Sequence, residues 1–248
     1  MFEAKIFLAG PSRMANSEIN THWPFWQPHN YPKTHATPAN VYIADAGLES
    51  FLKWFDALPE PDADRVHNIV WCGDGDSLGK HGIEILKNTA ARFEGRWREH
   101  FYAADKDFSD CAAMMSLLEY DLRHAQEPAR QMWLTVHGAW GGRYDHELVN
   151  LFEISAMLAR IPCVGAVVLG PERVLTTAPI DLRLPFEHSF SLLSAFADQQ
   201  LRVKVTGARY SGELLLRQPS HGLSNQCLAE LVVVEPMTPS VPVFGIVS

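Results

Sequence analysis

The sequence predicts an α/β protein: an N-terminal parallel sheet flanked by helices, followed by a smaller all-β domain. Three observations predict it. From Ile6 to Leu169, short apolar runs alternate with stretches whose apolar residues recur at helical spacing. Strands alternating with helices imply right-handed crossovers and a parallel sheet covered on both faces. After Gly170-Pro171 the helical spacing fades, and short apolar runs are punctuated by Gly and Pro, the pattern of a small all-β unit. An apolar fraction of 47% over 248 residues is enough for one large domain or two ordinary ones. The change of pattern sets the expected domains at 1–170 and 171–248.

Each element has its own signal. Ile6–Ala9 reads as a first strand. Residues 11–38 are rich in Pro, His, Asn and aromatics and carry no strand or helix period, as in a functional or surface loop. His22, His29 and His35 within it lack the short spacing of metal ligands. Val41–Ala44 is a second strand, followed by a helix with Leu48, Phe51, Leu52 and Phe55 on one face, ended by Pro59 and Pro61. Asn68–Cys72 is a buried strand, and a helix follows around Ile83–Phe93. His100–Tyr102 belongs to a short strand. Ser109 is a fitting N-cap for a helix carrying Met114, Leu117, Leu118 and Leu122. Met132–Val136 is another buried strand. The next helix shows Leu148, Leu151, Phe152, Ser155 and Leu158 on one face, and Val164–Leu169 is a strand. Beyond it, short strands are expected at Leu182–Leu184, Phe190–Leu193, Arg202–Thr206, Glu213–Leu216 and Leu228–Val234.

Composition narrows the class. A net charge of −8 argues against a general nucleic-acid or membrane-surface binder. No run of about eighteen apolar residues exists, so no transmembrane helix is expected. The start, Met1–Lys5, lacks a basic n-region and a long apolar h-region. Four scattered cysteines without C-x-x-C suit buried free thiols in a reducing cytoplasm. A cytoplasmic location is therefore expected.

The chemistry gathers at Trp71–Lys80. Asp74 and Asp76 sit in a glycine-flanked loop at the end of a strand, where ligands of parallel sheets bind. Two close carboxylates repel unless a proton or cation lies between them. The cation that fits is Mg2+, carrying the phosphates of a nucleotide. Gly73-x-Gly75-x-x-x-Gly79 is one residue too long for a dinucleotide fingerprint, and Gly79-Lys80-His81 lacks the Ser or Thr of a P-loop. Leu78 and Ile85 fall where an EF-hand needs oxygen ligands. Gly75-Asp76-Ser77-Leu78-Gly79 matches a nucleophile elbow and resembles the Gly-Asp-Ser-Leu block of a serine esterase family, with Asp121 and His124 as candidate partners. Further acids end neighbouring strands: Asp45, Asp107 with Asp110, and Asp145. Taken singly, each is as well read as a helix cap or turn acid. Four on one edge of a sheet point to a site.

Five blocks together resemble thiamine pyrophosphokinase. They are Gly73-Asp74-x-Asp76-Ser77, Lys106-Asp107-x-Ser109-Asp110, Gly138-x-x-Gly141-Gly142-Arg143-x-Asp145-His146, Gly207-x-x-Tyr210 and Gly222-Leu223-Ser224-Asn225. They occur in the family's order between about Val41 and Asn225. The resemblance implies a C-terminal β-sandwich and a homodimer with active sites shared between subunits. It implies pyrophosphate transfer from ATP to the hydroxyl of thiamine, releasing AMP. Asp74, Asp76 and Asp110 match the family's Mg2+ positions. Asp107 is implied to complete the metal shell or orient the hydroxyl, with Arg143 and Asp145 in the catalytic group. Asp45, Gly47, Ser77, Lys106 and Arg143 are the implied ATP contacts, and Tyr210, Ser224 and Asn225 the thiamine contacts. The alternatives are a pyrophosphokinase for another hydroxymethyl acceptor such as a pterin, the esterase using Ser77, and a non-catalytic nucleotide-binding homologue. The sequence departs from the family at Ala46, where a second glycine is usual, and at Gly75. The segment 11–38 is not a family feature.

Overall fold

Along the chain run β1 (Phe2–Phe7), β2 (Trp26–Pro28), β3 (Ala39–Ala44), helix α1 (Gly47–Asp56), β4 (Val66–Gly73), α2 (Gly79–Arg92) and β5 (Trp97–Phe101). Then come α3 (Asp110–His124), β6 (Gln131–His137), α4 (Tyr144–Arg160), β7 (Val164–Val168), β8 (Arg173–Thr176) and β9 (Ile180–Leu182). The last elements are β10 (Ser189–Ser194), β11 (Leu201–Thr206), β12 (Gly212–Leu216), β13 (Asn225–Gln226), β14 (Val232–Pro236) and β15 (Val243–Val247). The computed structural model describes residues 1–10, 25–29, 39–58, 66–76, 78–103, 105, 107–125, 128–196, 199–238 and 240–248.

Alternation in β1 sets up two layers, because successive strand side chains point to opposite faces. Ala4 and Ile6 join Tyr42, Val70, Leu134 and Val136 in one core, which α3 and α4 cover with Met114, Leu118, Ile154 and Leu158. Phe7 turns the other way and packs with Ile43, Trp71 and the α1 residues Phe51 and Phe55. The parallel strands are ordered β7-β6-β1-β3-β4-β5. Helices therefore cover both faces. Ser109 caps α3 as expected, its hydroxyl accepting from the Ala112 N–H at 3.0 Å. Asp121 on that helix accepts from the Tyr42 hydroxyl and pairs with Arg98, tying α3 to the sheet.

The parallel sheet does not stop where the helices do. β8 pairs antiparallel with β7, and β15, β10 and β13 extend it into a ten-stranded sheet. A second sheet, β12-β11-β14-β9-β2, lies against this extension. The core between the sheets contains Trp133, Val168, Phe190, Val203 and Val234.

Several details differ from the pattern read in the sequence: the strands expected at Leu182–Leu184 and Leu228–Val234 lie at Ile180–Leu182 and Val232–Pro236, and β8 and β15 carry no strand expectation. Within the aperiodic segment 11–38, Trp26–Pro28 forms an edge strand on β9. Three residues are too few to show a period, yet Trp26 is fully buried, with its ring against Gly245. In α4, Ile154, Ser155, Met157 and Leu158 face the core, while Leu148 and Phe152 are 53% and 59% exposed. The helix carries two apolar stripes, and the one at 154, 157 and 158 takes the sheet. Cys72, Cys111, Cys163 and Cys227 are free thiols, and all but the half-buried Cys163 are buried as expected. No described helix is long and apolar enough to cross a membrane.

The burial of Trp26 makes β2 a stabilising part of the second sheet. Trp26→Ala is expected to lower unfolding free energy by about 3–5 kcal/mol, measured by urea denaturation. A loss below about 1 kcal/mol would show that the indole is not core.

Candidate active site

Asp45 and the Asp74–Asp76 loop meet because β3 and β4 are parallel neighbours in register. Ala44 lies beside Cys72, so Asp45 leaves β3 next to Gly73. Asp45 has a left-handed backbone, φ 41°. Its N–H donates to the Cys72 carbonyl at 2.8 Å, and the Trp71 indole N–H donates to its carbonyl at 3.2 Å. A Cβ at Gly73 would lie 2.8 Å from Asp45 Oδ1 and 3.0 Å from its Cβ, so a glycine is needed there for the aspartate to fold back. Asp45 is buried, Asp74 half-buried and Asp76 exposed. One carboxylate oxygen from each lies within 4.8 Å of the others. The Asp76 N–H donates to Asp74 Oδ1, shaping the loop. Three carboxylate oxygens in one place form a donor set that suits a hard divalent cation such as Mg2+, Mn2+ or Ca2+. Ala46 sits at φ −65° as the residue before α1, so alanine there is unstrained. Gly47 is required by packing, since its Cβ would meet the Phe7 carbonyl oxygen at 2.1 Å.

The other half of the site lies across β1. Strand order reverses between β1 and β6, and such a reversal opens a crevice at the carboxyl ends. Gly10 and Gly138 close its floor: a Cβ on Gly10 would lie 2.2 Å from the Gly138 carbonyl oxygen. His137 is buried there and stacks on Phe7 at 4.5 Å. Burial, then the Lys5 charge, pushes its imidazole down to about 3, so it is neutral. Next comes the glycine loop. The Gly141 N–H donates to buried Glu147 Oε1 at 2.7 Å, and Asn150 donates to the Ala139 carbonyl. Trp140 packs 4.7 Å from the Arg173 guanidinium and 6.5 Å from the Phe244 ring. Beyond the loop, Arg143 Nε and Nη2 donate to the two oxygens of Asp145. That fork, mainly through its hydrogen bonds, holds the Asp145 carboxyl down at about 2. Both side chains are largely exposed, at 71% and 61%. Glu147 and Trp140 escaped the sequence reading. Glu147 looks like an ordinary first-turn acid, and Trp140 like a loop residue.

The remaining predicted residues fall in three places. Asp110 opens α3 half-buried, and Asp107 is exposed in the loop before it. That loop starts beside the first, where the Tyr102 N–H donates to the Gly73 carbonyl. Neither residue belongs to the three-carboxylate group formed by Asp45, Asp74 and Asp76. Ser77 and Lys106 lie outside the described residues, as do His22 and His35. His29 is bonded to Asp181. Tyr210, Ser224 and Asn225 gather at the rim of the antiparallel half. There Tyr210 is 56% exposed, and Asn225 is buried and bonded to the Tyr210 backbone. Ser224 is exposed at φ 55°, its N–H donating to Ser191 Oγ. For an esterase, Asp121 should orient His124. Instead Asp121 holds Tyr42 and Arg98, and His124 Nδ1 meets the Tyr120 carbonyl oxygen. A groove of about 740 Å³ lined by Arg130, Cys163 and Val164 lies at the opposite, amino-terminal edge of β6 and β7. It is remote from this chemistry.

An acid-lined carboxyl edge on a parallel sheet that continues into an antiparallel one defines the class. The particular fold is that of thiamine pyrophosphokinases. The Bacillus subtilis thiamine pyrophosphokinase structure aligns at a TM-score of 0.64 and 13% identity, covering 99% of each chain. A thiamin pyrophosphokinase family protein from Enterococcus faecalis aligns at 0.56 and 15% identity, over 100% of this chain and 99% of that one. The thiamin pyrophosphokinase of Geobacillus thermodenitrificans aligns at 0.59 and 17%, over 100% and 98%. No protein-family profile and no curated protein sequence matches the chain.

Two outcomes test this geometry. Gly73→Ala is expected to weaken Mg2+ binding by about tenfold or more, read by calorimetric titration, because the new methyl displaces Asp45. An unchanged affinity would remove Asp45 from the site. The Asp145 carboxyl, held below its unfolded value of 3.8, keeps its pairing above that value and loses it as pH falls through about 2. Carboxyl NMR is expected to show this titration, and Arg143→Ala to return it to the ordinary range.

Proposed function

We propose that the protein is a Mg2+-dependent pyrophosphokinase that moves a pyrophosphoryl group from ATP to the hydroxyl of thiamine, giving thiamine diphosphate and AMP. The observation that carries this reading is the convergence of Asp45, Asp74 and Asp76 at the carboxyl edge, within a fold matched end to end by pyrophosphokinases. Transfer of this kind depends on positioning and on charge neutralisation, with little covalent work for the protein.

Each side chain has a part in that scheme. Asp45, Asp74 and Asp76 would hold Mg2+, whose charge offsets that of the triphosphate. Asp110 and Asp107, on the neighbouring loop, would extend the acidic rim toward the attacking hydroxyl. Arg143 spends two N–H groups on Asp145, and a guanidinium has five. The remaining donors would grip phosphate oxygens, with Asp145 fixing the plane of the fork. Gly47, Ser77 and Lys106 would serve the nucleotide side. Tyr210 would offer its face to the cationic thiazolium ring, a contact of about 0.5–2 kcal/mol.

A homodimer with shared sites belongs to the same proposal. Tyr144, Leu148 and Phe152 form an exposed stripe on α4, beginning beside Arg143. Phe186, Tyr210, Leu223 and Leu228 are exposed on the antiparallel half. Apolar patches of this kind mark association surfaces. A two-fold axis would set each against the other twice, bringing Tyr210 of one copy toward Arg143 of the next. Nothing in the proposal requires a membrane or a nucleic acid, and the cytoplasm supplies both substrates.

The test is product identification. Incubated with ATP, Mg2+ and thiamine, the protein is expected to yield thiamine diphosphate and AMP by mass spectrometry. Asp76→Asn is expected to cut turnover on the order of 100-fold. Formation of ADP in place of AMP, or the absence of thiamine diphosphate, would overturn the assignment.

A further inference from the structure

Asn225 is 4% exposed, and its carboxamide is almost fully used inside the protein. Oδ1 accepts from the Tyr210 N–H and the Gln226 N–H, each at 2.9 Å. Nδ2 donates to the Tyr210 carbonyl, also at 2.9 Å. An amide oxygen has two lone pairs, so this one has none left for a ligand. The side chain grips the backbone of one residue from both directions, as a strand partner would. Yet the residue gripped keeps its own ring 56% exposed.

We infer that Asn225 is a positioning residue, clamping the Tyr210 backbone so that the exposed ring is presented to a flat, cationic heterocyclic acceptor. This rests on the acceptor role proposed above for Tyr210. It replaces a direct hydrogen bond from Asn225 to the acceptor. The surroundings favour a rigid mount. Asn225 pairs with Phe190 at the edge of the ten-stranded sheet, while Tyr210 lies in the β11–β12 hairpin tip of the other sheet. The clamp therefore joins the two sheets at their rim. Ala208 bridges Cys227, and the Arg209 N–H donates to the Gln226 carbonyl at 2.9 Å. Gly207, at φ 83°, packs so closely against the segment before β14 that a Cβ would lie 2.4 Å from the Leu231 carbonyl oxygen. Unmade hydrogen bonds at buried groups are costly, so removing the carboxamide frees the Tyr210 peptide to move and the ring with it. A ring held before the ligand arrives loses less freedom on binding.

A double-mutant cycle separates the clamp from a direct contact. Asn225→Ala, Tyr210→Ala and the double variant are compared for thiamine binding by calorimetry, for KM of ATP, and for hydrogen exchange at the residue 210 amide. Each single change is expected to weaken thiamine about tenfold. The double variant is expected to be no worse than Tyr210→Ala alone. KM for ATP should be unchanged, and exchange at the Tyr210 amide should rise at least tenfold in Asn225→Ala. Additive losses, or an amide that stays protected, would overturn the clamp. So would a lower melting temperature with thiamine affinity intact while Tyr210→Ala weakens it. If Tyr210→Ala leaves thiamine binding unchanged while exchange rises in Asn225→Ala, the clamp stands and the acceptor assignment falls. Should Asn225→Ala fail to fold, Asn225→Asp keeps the acceptor bonds, sets an oxygen against the Tyr210 carbonyl, and is expected to show the same coupling and loosened amide.

Discussion

A missing methyl group at position 73 lets carboxylates crowd the sheet edge. β3 and β4 are neighbours in register, so whatever follows Ala44 must lie against whatever follows Cys72. With glycine there, Asp45 folds inward until its oxygen comes within 4.8 Å of those of Asp74 and Asp76. Two unit charges at that separation repel by about 1 kcal/mol in water and by roughly 3–4 kcal/mol at an effective dielectric near 20. Every added carboxylate makes the edge worse for an anion and better for a divalent cation. An anionic triphosphate can approach such an edge only in company with a metal. The electrostatics of the site thus follow from two backbone facts, strand register and a glycine.

The topology then decides what faces the acids. β1 lies between β3 and β6, and neighbouring strands are about 4.8 Å apart. The Arg143–Asp145 fork follows β6, on the far side of β1 from the strands that carry the carboxylate group. Arg143 and Asp145 neutralise each other, so the fork contributes directed N–H donors rather than net positive charge. The glycine loop is tied three ways: by Glu147, by Asn150, and by Trp140 against Arg173 and Phe244. The last tie exists only because the parallel sheet continues into antiparallel strands. The glycine loop is braced by the half of the chain that carries Tyr210.

How much of this was legible depends on whether the cause was local. The buried strands Asn68–Cys72 and Met132–Val136 announced themselves as apolar runs, and the Ser109 cap as a hydroxyl before an apolar period. Asp74 and Asp76 were visible because glycines flank them. Asp45 was visible as an acid at a strand end, but not as a member of the carboxylate trio, since that depends on a neighbouring strand's glycine. Pairings between distant segments left no trace. The addition of β8 and β15 to the parallel sheet, and the docking of Trp26 on Gly245, are of this kind. Leu148, Leu151, Phe152, Ser155 and Leu158 share a helical face, yet only its Ser155 and Leu158 are buried, beside Ile154 and Met157 of the neighbouring stripe. The resemblance of the Gly222–Asn225 block implies a ligand contact at Asn225, and a plain turn is the alternative. Only coordinates show its oxygen already spent on Tyr210 and Gln226.

The carboxylate edge and the Tyr210 hairpin are consequently held by different kinds of structure. The acids and the fork sit just beyond the ends of parallel strands, whose own backbones are set by register and buried neighbours. Sequence can drift far around such a frame, and alignments at 13–17% identity still span essentially the whole chain. The tyrosine ring sits instead on a hairpin tip, held by one carboxamide, a bridge and a closely packed glycine. Loops on a rigid scaffold are where binding preferences change. The acidic edge is thereby fixed by the register of the sheet, and the tyrosine ring by side-chain hydrogen bonds at its rim.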